Sequence, residues 1–474
     1  MKATLFSTQF WISSTLAAMI WGCQSSNAPT VTSQTAGKRP NVLIIMTDQQ
    51  TNDALSLMGN PNLRTPHMDA LARQGVFFTE AYCTTPVCGP SRSSMLTGRM
   101  AHETGVVWNS THIAANLPTL GHLFGKAGYN TAWAGKWHLP EAYPAKSGLD
   151  SVGGFKVIPF QALETSWETG ASTDAPIAEA AARYLRGYRE NKPFLLAVSL
   201  HNPHDICFVP RNPGAYARAD QIREPLPPLP ANFNPPADEP EFLAEKRKMD
   251  HYGDELLLAQ PYTEADWRAY LHHYYRFTER VDAEIGKIRE ALHTSKLADN
   301  TLVVFLSDHG DGAASHRWAA KLSLYDEVAT VPFSLSWKGH IPEGRIDRSH
   351  PVSLLDLLPT LCDYAGVPGA PSGRGLSLRP IIDNPDASFR EYVVVQLEDD
   401  KLDASRVGRM IRDRRFKYNW FSSGARNEQL FDLWEDAGET RNLAYEPTYQ
   451  PVKNRLREQL KAWMQETNDR ARLP

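Results

Sequence analysis

The sequence predicts an α/β protein: a mixed sheet between helices, followed by a smaller C-terminal α+β subdomain with an antiparallel sheet. Three observations carry this. Continuous apolar runs at 41–47, 194–200 and 301–307 read as strands buried on both faces, each ending in polar residues. Amphipathic patterns at 175–189 and 263–292 supply helices to cover them. After Pro385 the pattern changes to short strands and one last helix. The main domain is placed at 38–385 and the subdomain at 386–474.

Lys plus Arg is 50 against 54 for Asp plus Glu, a net charge of -4, which argues against a nucleic-acid partner. Hydrophobic residues are 42% and charged residues 22%, the balance of a soluble globular chain. Residues 1–22 read as an export signal, with Lys2 followed by an apolar run from Leu5 to Trp21. Ser and Thr interrupt that run, which disfavours a spanning helix. It ends Ile20-Trp21-Gly22-Cys23, and residues 23–37 form a polar tether. This resembles a bacterial lipoprotein signal. The resemblance implies a lipid anchor at Cys23 and a place in the periplasm or on the outer membrane; plain secretion is the alternative.

Taken in order, the first buried strand (41–47) ends in Asp48-Gln49. A carboxylate there is either a helix cap or a ligand-binding group, because open α/β sheets bind ligands outside strand carboxyl ends. Gln49 offers a carbonyl oxygen to a hard cation but no charge. Residues 65–75 read as a helix with a Thr cap, Pro at its first position and Gly at its end. In Cys88-Gly89-Pro90-Ser91-Arg92 a turn precedes a short helix capped by Ser91, with Cys88 just before it and Arg92 one turn inward. The helix end and the cation favour negative charge at the sulfur; a buried core Cys is the other reading.

A helix at 117–128 and a strand at 129–134 lead into Gly135-Lys136-Trp137-His138, whose Lys and His project to one side. The strand at 194–200 ends His201-Asn202-Pro203-His204-Asp205. Residues 207–262 are Pro-rich and read as a long insertion with little regular structure, a pocket wall or a surface excursion. The helix at 263–292 has Thr263 as cap and an aromatic stripe, Tyr270, Tyr274 and Phe277 among it, read as core packing. The strand at 301–307 ends Asp308-His309-Gly310, repeating the Asp48 logic. A strand begins at 331 and a helix spans 352–366, with Ser353 as its cap.

The run Cys88 to Arg99 resembles the signature of the formylglycine-dependent sulfatases, C-x-P-S-R-x-x-x-L-T-G-R, at every fixed position. Gly135-Lys136-x-His138, Pro203-His204, Ser307-Asp308-His309-Gly310 and Lys321-x-x-x-Tyr325-x-Glu327 are similar to further motifs of that family, over about residues 40 to 445. The sequence departs from it at Gln49, where an Asp is commoner.

The resemblance implies an alkaline-phosphatase-like fold and a type I sulfatase. It implies that a maturation enzyme oxidises Cys88 to formylglycine, whose hydrate is the nucleophile. Asp48, Cys88, Asp308 and His309, with Gln49 as a further candidate, would hold Ca²⁺ or Mg²⁺. Lys136, Lys321 and Arg92 would supply positive charge around the sulfate, His138 would deprotonate the formylglycine hydroxyl, and His204 would protonate the leaving alcohol. His316 is left without a role. With Cys23 and Cys88 used in this way, Cys83, Cys207 and Cys362 are expected as unpaired core thiols. The implied substrate is a sulfated sugar or glycan, and the membrane is met only through the lipid. The rivals are a phosphonate or phosphate ester hydrolase of the same superfamily and a non-catalytic glycan-binding lipoprotein.

Overall fold

The computed structural model describes residues 39–163, 169–249, 254–367, 373–398 and 403–473. The expected export signal, tether and lipid anchor lie outside them.

A nine-stranded sheet runs in the order Arg345–Asp347, Val76–Phe78, Phe333–Ser336, Thr301–Ser307, Asn41–Asp48, Phe194–Pro203, Asn130–Gly135, Phe155–Val157, Ser151–Val152. It is mixed: Asn41–Asp48 is parallel to both its neighbours, whereas Phe333–Ser336 is antiparallel to Thr301–Ser307. Register follows from the two-residue side-chain period. Val42, Ile44, Met46, Val304 and Leu306 pack on one face, and Leu43, Ile45, Val303 and Phe305 on the other. The helices Thr169–Gly187 and Glu264–Thr294 cover the second face through Ile177, Ala181, Val281 and Ile285. The Cys88–Thr97 helix covers the first with Met95 and Leu96.

A four-stranded antiparallel sheet follows, Val393–Glu398, Val407–Arg412, Phe416–Phe421 and Glu428–Asp432. The helix Gln450–Glu466 buries Leu456, Leu460 and Trp463 against Ile411, Tyr418 and Leu430.

Three local expectations need correction. Ser91 is not a cap: the helix begins at Cys88 itself, and the Ser91 hydroxyl donates to the Asp308 carbonyl at 2.6 Å. Pro90 is tolerated inside because first-turn residues need no N–H partner in the helix. Residues 352–366 are not one helix. Val352–Ser353 pairs with Ala81–Tyr82, Ser353 caps a short 3₁₀ turn, and the α-helix is Leu357–Ala365. The 207–262 insertion contains short helices, Phe208–Arg211, Glu241–Lys246 and Glu255–Leu258, and it is anchored. Phe242 stacks on Phe421, and Arg247 lies over Trp318 while donating to the His316 and Arg317 carbonyls.

Candidate active site

Four parallel or adjoining strand ends meet at one edge of the large sheet. Asp48 is the last residue of its strand, Asp308 follows Ser307, Lys136 follows Gly135, and His204 follows Pro203. Pairing in register puts these ends at one level: Thr47 opposes Ser307, and Gly135 opposes Ser199. Gly135 sits at φ +96, and a Cβ there would fall 2.0 Å from the Ser199 oxygen, so only Gly lets the chain turn this tightly. Lys136 and His138 therefore curl back over the edge instead of continuing an extended strand; His138 itself has φ +64.

The Cys88 sulfur is the point on which the other groups converge. It lies 3.1 Å from His309 Nε2, 3.3 Å from Lys321 Nζ and 3.6 Å from Asp48 Oδ1. His138 and His204 also hydrogen-bond it. His204 Nε2 is 3.2 Å from Lys321 Nζ, and Lys136 Nζ is 2.8 Å from Asp48 Oδ2. Cys88, Asp48, Asp308, His309 and Arg92 are all fully buried.

Arg92 is bonded all round by the protein. Nη2 donates to Asp48 at 2.8 Å, Nε to Asp308 at 2.7 Å, and Nη1 to the Lys136 carbonyl and Ser199 Oγ, both at 2.8 Å. Its charge reaches the site through the two carboxylates it holds.

The electrostatics are uneven. Burial and the Cys88 sulfur push Asp48 up, but Lys136, His204 and Arg92 outweigh them and hold it well below the usual carboxylate range. Burial and the neighbouring Asp48 charge raise Asp308 to about 6 despite Arg92. Burial would raise the Cys88 thiol, yet Lys321, Lys136 and His309 draw it well down. Burial, Lys136 and Lys321 push His204 down to about 3, so it is neutral in the ligand-free site near neutral pH.

The donor atoms of Asp48, Cys88, Asp308 and His309 all lie within 4.8 Å of one another. Two carboxylates and an imidazole, buried and acidic overall, fit a divalent cation. His309 Nδ1 donates to the Gly310 carbonyl at 2.8 Å, leaving Nε2 as the ligand nitrogen. Gln49 is turned otherwise: its Oε1 faces Lys321 Nζ at 3.3 Å and its Nε2 donates to Asp311 at 2.8 Å.

His316 and Glu327, to which the resemblance gave no role, lie apart. His316 stacks on Tyr325 at 3.8 Å, with its Nε2 3.9 Å from Glu327, and neither touches Cys88. Glu327 bonds Asn232. Sequence reasoning missed Asp311 and Ser199, and it read the aromatic stripe too simply. Tyr274 bridges the Thr51 N–H and the Gln49 carbonyl, and Tyr270 donates to Asp311. The signal was available in the residue type: a buried Tyr, unlike Phe, needs a partner for its hydroxyl. Cys83, Cys207 and Cys362 are free and buried, as expected.

The Sulfatase family model matches residues 40–367, and a second, described as N-sulphoglucosamine sulphohydrolase, C-terminal, matches 314–466. A Delta 4,5-hexuronate-2-O-sulfatase of Bacteroides thetaiotaomicron is 33% identical over 437 residues, covering 88% of this chain and 87% of that protein. An ulvan-active sulfatase of Formosa agariphila is 29% identical, covering 93% and 84%. The solved structure of a 2-O GAG sulfatase superposes with a TM-score of 0.80 at 30% identity, covering 91% of this chain and 93% of that one.

Proposed function

This chain belongs to the sulfatase family and hydrolyses sulfuric esters; on that premise we propose that its substrate is a sulfated saccharide, its nucleophile an oxidised Cys88 and its cation Ca²⁺, with Mg²⁺ as the alternative. One observation carries the reading. Lys321 Nζ, His204 Nε2 and Cys88 Sγ form a cluster, Cys88 and Lys321 buried and His204 partly so, with Lys321 3.2 Å from His204 and 3.3 Å from the sulfur. A cation for the transferred group and an imidazole for the departing oxygen thus sit on the nucleophile's own atom.

The mechanism is charge management. A sulfuryl group in transfer spreads negative charge over its oxygens, so fixed positive groups stabilise it. Lys321 and Lys136 orient those oxygens. Asp48, Asp308 and His309 would hold a divalent cation, which would supply Lewis-acid polarisation of the sulfate. Formylglycine at position 88, made by a separate maturation enzyme, would supply a hydrated aldehyde: one hydroxyl would bond sulfur as the sulfur–oxygen bond to the alcohol breaks, and the second, on losing its proton, would re-form the carbonyl and break the carbon–oxygen bond to sulfate. His138, bonded at position 88, takes the hydroxyl proton. His204 gives a proton to the leaving alcohol oxygen. Burial and the two lysines hold its pKa low, and a sulfate anion bound beside the lysines would offset their charge and favour the protonated imidazole. Arg92 holds both carboxylates in place.

The activities named for the relatives make sulfated hexuronates and ulvan the first substrates to test. The named sulfatase relatives favour sulfate ester hydrolysis over phosphonate hydrolysis and simple glycan binding. The C-terminal sheet is proposed as a subdomain from 386, and Cys23 as the lipid anchor of an exported protein. The experiment is sulfate release from a panel of 2-O-, 4-O- and 6-O-sulfated saccharides by the mature enzyme and by Cys88→Ala. Release by the enzyme and none by the variant is expected. Equal release by both would remove Cys88 as nucleophile.

A further inference from the structure

We propose that Asp311 is a positioning residue: it turns Gln49 so that the Gln49 carbonyl oxygen holds the Lys321 ammonium against position 88. The inference rests on the reading that Lys321 contacts the sulfuryl group, and it goes beyond that reading by assigning what holds Lys321 there.

The geometry is a buried relay. Asp311 Oδ2 accepts from Gln49 Nε2 at 2.8 Å, Gln49 Oε1 accepts from Lys321 Nζ at 3.3 Å, and Lys321 Nζ donates to Cys88 Sγ at 3.3 Å. Gln49 and Asp311 are fully buried and Lys321 is 8% exposed. The orientation of the Gln49 amide follows from its neighbours. An ammonium only donates, so the amide oxygen must face Lys321 and the amide nitrogen turns to Asp311 Oδ2.

Asp311 is itself held. Its carboxylate accepts from the Tyr270 hydroxyl at 3.0 and 3.1 Å and from the Ala313 N–H at 2.8 Å. The Tyr270 oxygen also accepts from the Ala320 N–H at 3.1 Å, next to Lys321 in the chain. One tyrosine therefore ties the acid to the backbone that carries the lysine. The Gln49 backbone is held as well, with φ at +67 and its carbonyl accepting from Tyr274 at 2.8 Å. A neutral side chain at position 49 is what this arrangement needs. A carboxylate there would face Asp311 across the 2.8 Å gap that the amide N–H now bridges.

The test is a cycle of variants of the mature, metal-loaded enzyme: Gln49→Leu, Lys321→Ala, their double variant, Asp311→Asn, and the pair Gln49→Glu with Asp311→Asn. The readouts are the Kd of inorganic sulfate, KM and kcat, metal affinity by calorimetry, and Tm as a control of folding. Losing a hydrogen bond to a charged group is worth about 10–100-fold. Gln49→Leu is expected to weaken sulfate binding by about that factor with unchanged metal affinity, and to cost nothing further on top of Lys321→Ala. The paired exchange restores a donor facing an acceptor, with a carboxylate oxygen for Lys321, and is expected to recover sulfate affinity over Asp311→Asn alone. A loss of metal affinity in Gln49→Leu, or full additivity with Lys321→Ala, would overturn the relay. If Lys321→Ala itself leaves sulfate affinity unchanged, the fault lies in the role given to Lys321, and the relay falls with it.

Discussion

Arg92 and Asp308 are joined at 2.7 Å in the fully buried site, and the same guanidinium reaches Asp48 at 2.8 Å. One planar cation thus sets the separation of two carboxylates that rise from different strands. Removing it leaves Asp308 without its cation and Asp48 with Lys136 alone, and breaking a buried pair typically costs about 3–5 kcal/mol. Arg92→Ala is expected to lower the Tm of the metal-free protein markedly and to weaken metal binding. Arg92→Lys is expected to rescue little, because a point charge cannot bond both carboxylates along fixed directions. Calorimetric melting and metal titration of both variants check this. A lysine variant with parental stability and metal affinity would show that charge alone suffices.

The carboxylates themselves carry the next expectation. Asp48→Asn and Asp308→Asn each take a charge from the cation site while nearly keeping shape, and activity is expected to fall by orders of magnitude. Exhaustive chelation is expected to do the same to the parent, with activity returning on Ca²⁺ addition. Elemental analysis beside the assay decides the matter: full activity with no metal detected would count against the site.

His204 and Lys321 touch each other, yet they answer to different parts of the substrate. A sugar alkoxide is a poor leaving group and needs a proton; an activated phenolate needs it far less. General-acid help is worth about 10²–10⁴-fold. His204→Ala is therefore expected to damage sugar sulfate hydrolysis far more than hydrolysis of an activated aryl sulfate. Lys321→Ala is expected to damage both alike, since the transferred group is common to both. The ratio of the two kcat/KM values for each variant is the measurement, and equal losses in His204→Ala would deny it the role of acid.

Away from the site, Glu327 gives a pH-dependent expectation. Burial raises it from 4.5 to about 7, with Asn232 as its main opposing hydrogen bond. A carboxyl that binds its proton more tightly when folded contributes stability that is complete below its unfolded value and lost as pH rises through the folded one. For Glu327 that window is from 4.5 to about 7, and the loss is about 3 kcal/mol. Glu327→Gln keeps an oxygen for Asn232 Nδ2, now 2.7 Å away, and does not ionise. The variant is expected to lose less stability than the parent between pH 5 and 8, as read from denaturant melts at each pH. Parallel stability curves would remove Glu327 as the source.

The sequence alone determined a good deal. Continuous apolar runs of strand length, each ending in a polar residue, specify buried parallel strands and mark where their ends lie. Asp48, Lys136, His204 and Asp308 were legible for that reason, and Cys88 through its twelve-residue motif. What the sequence could not decide was direction. Arg92 looked free to face a substrate, and only the closure of four strand ends around it shows its N–H groups taken by Asp48, Asp308, Lys136 and Ser199. Gln49 looked like a metal ligand in a weaker form, whereas its amide is turned by Asp311 and Lys321, which lie about 260–270 residues away in the chain. Glu327 and His316 sat in a motif with Lys321 but fold away from it, against Asn232 and Tyr325. Residue type and strand pattern are local properties. Which way a buried polar group points is set by the donors and acceptors that tertiary packing brings to it, because in a dry interior each must find a partner.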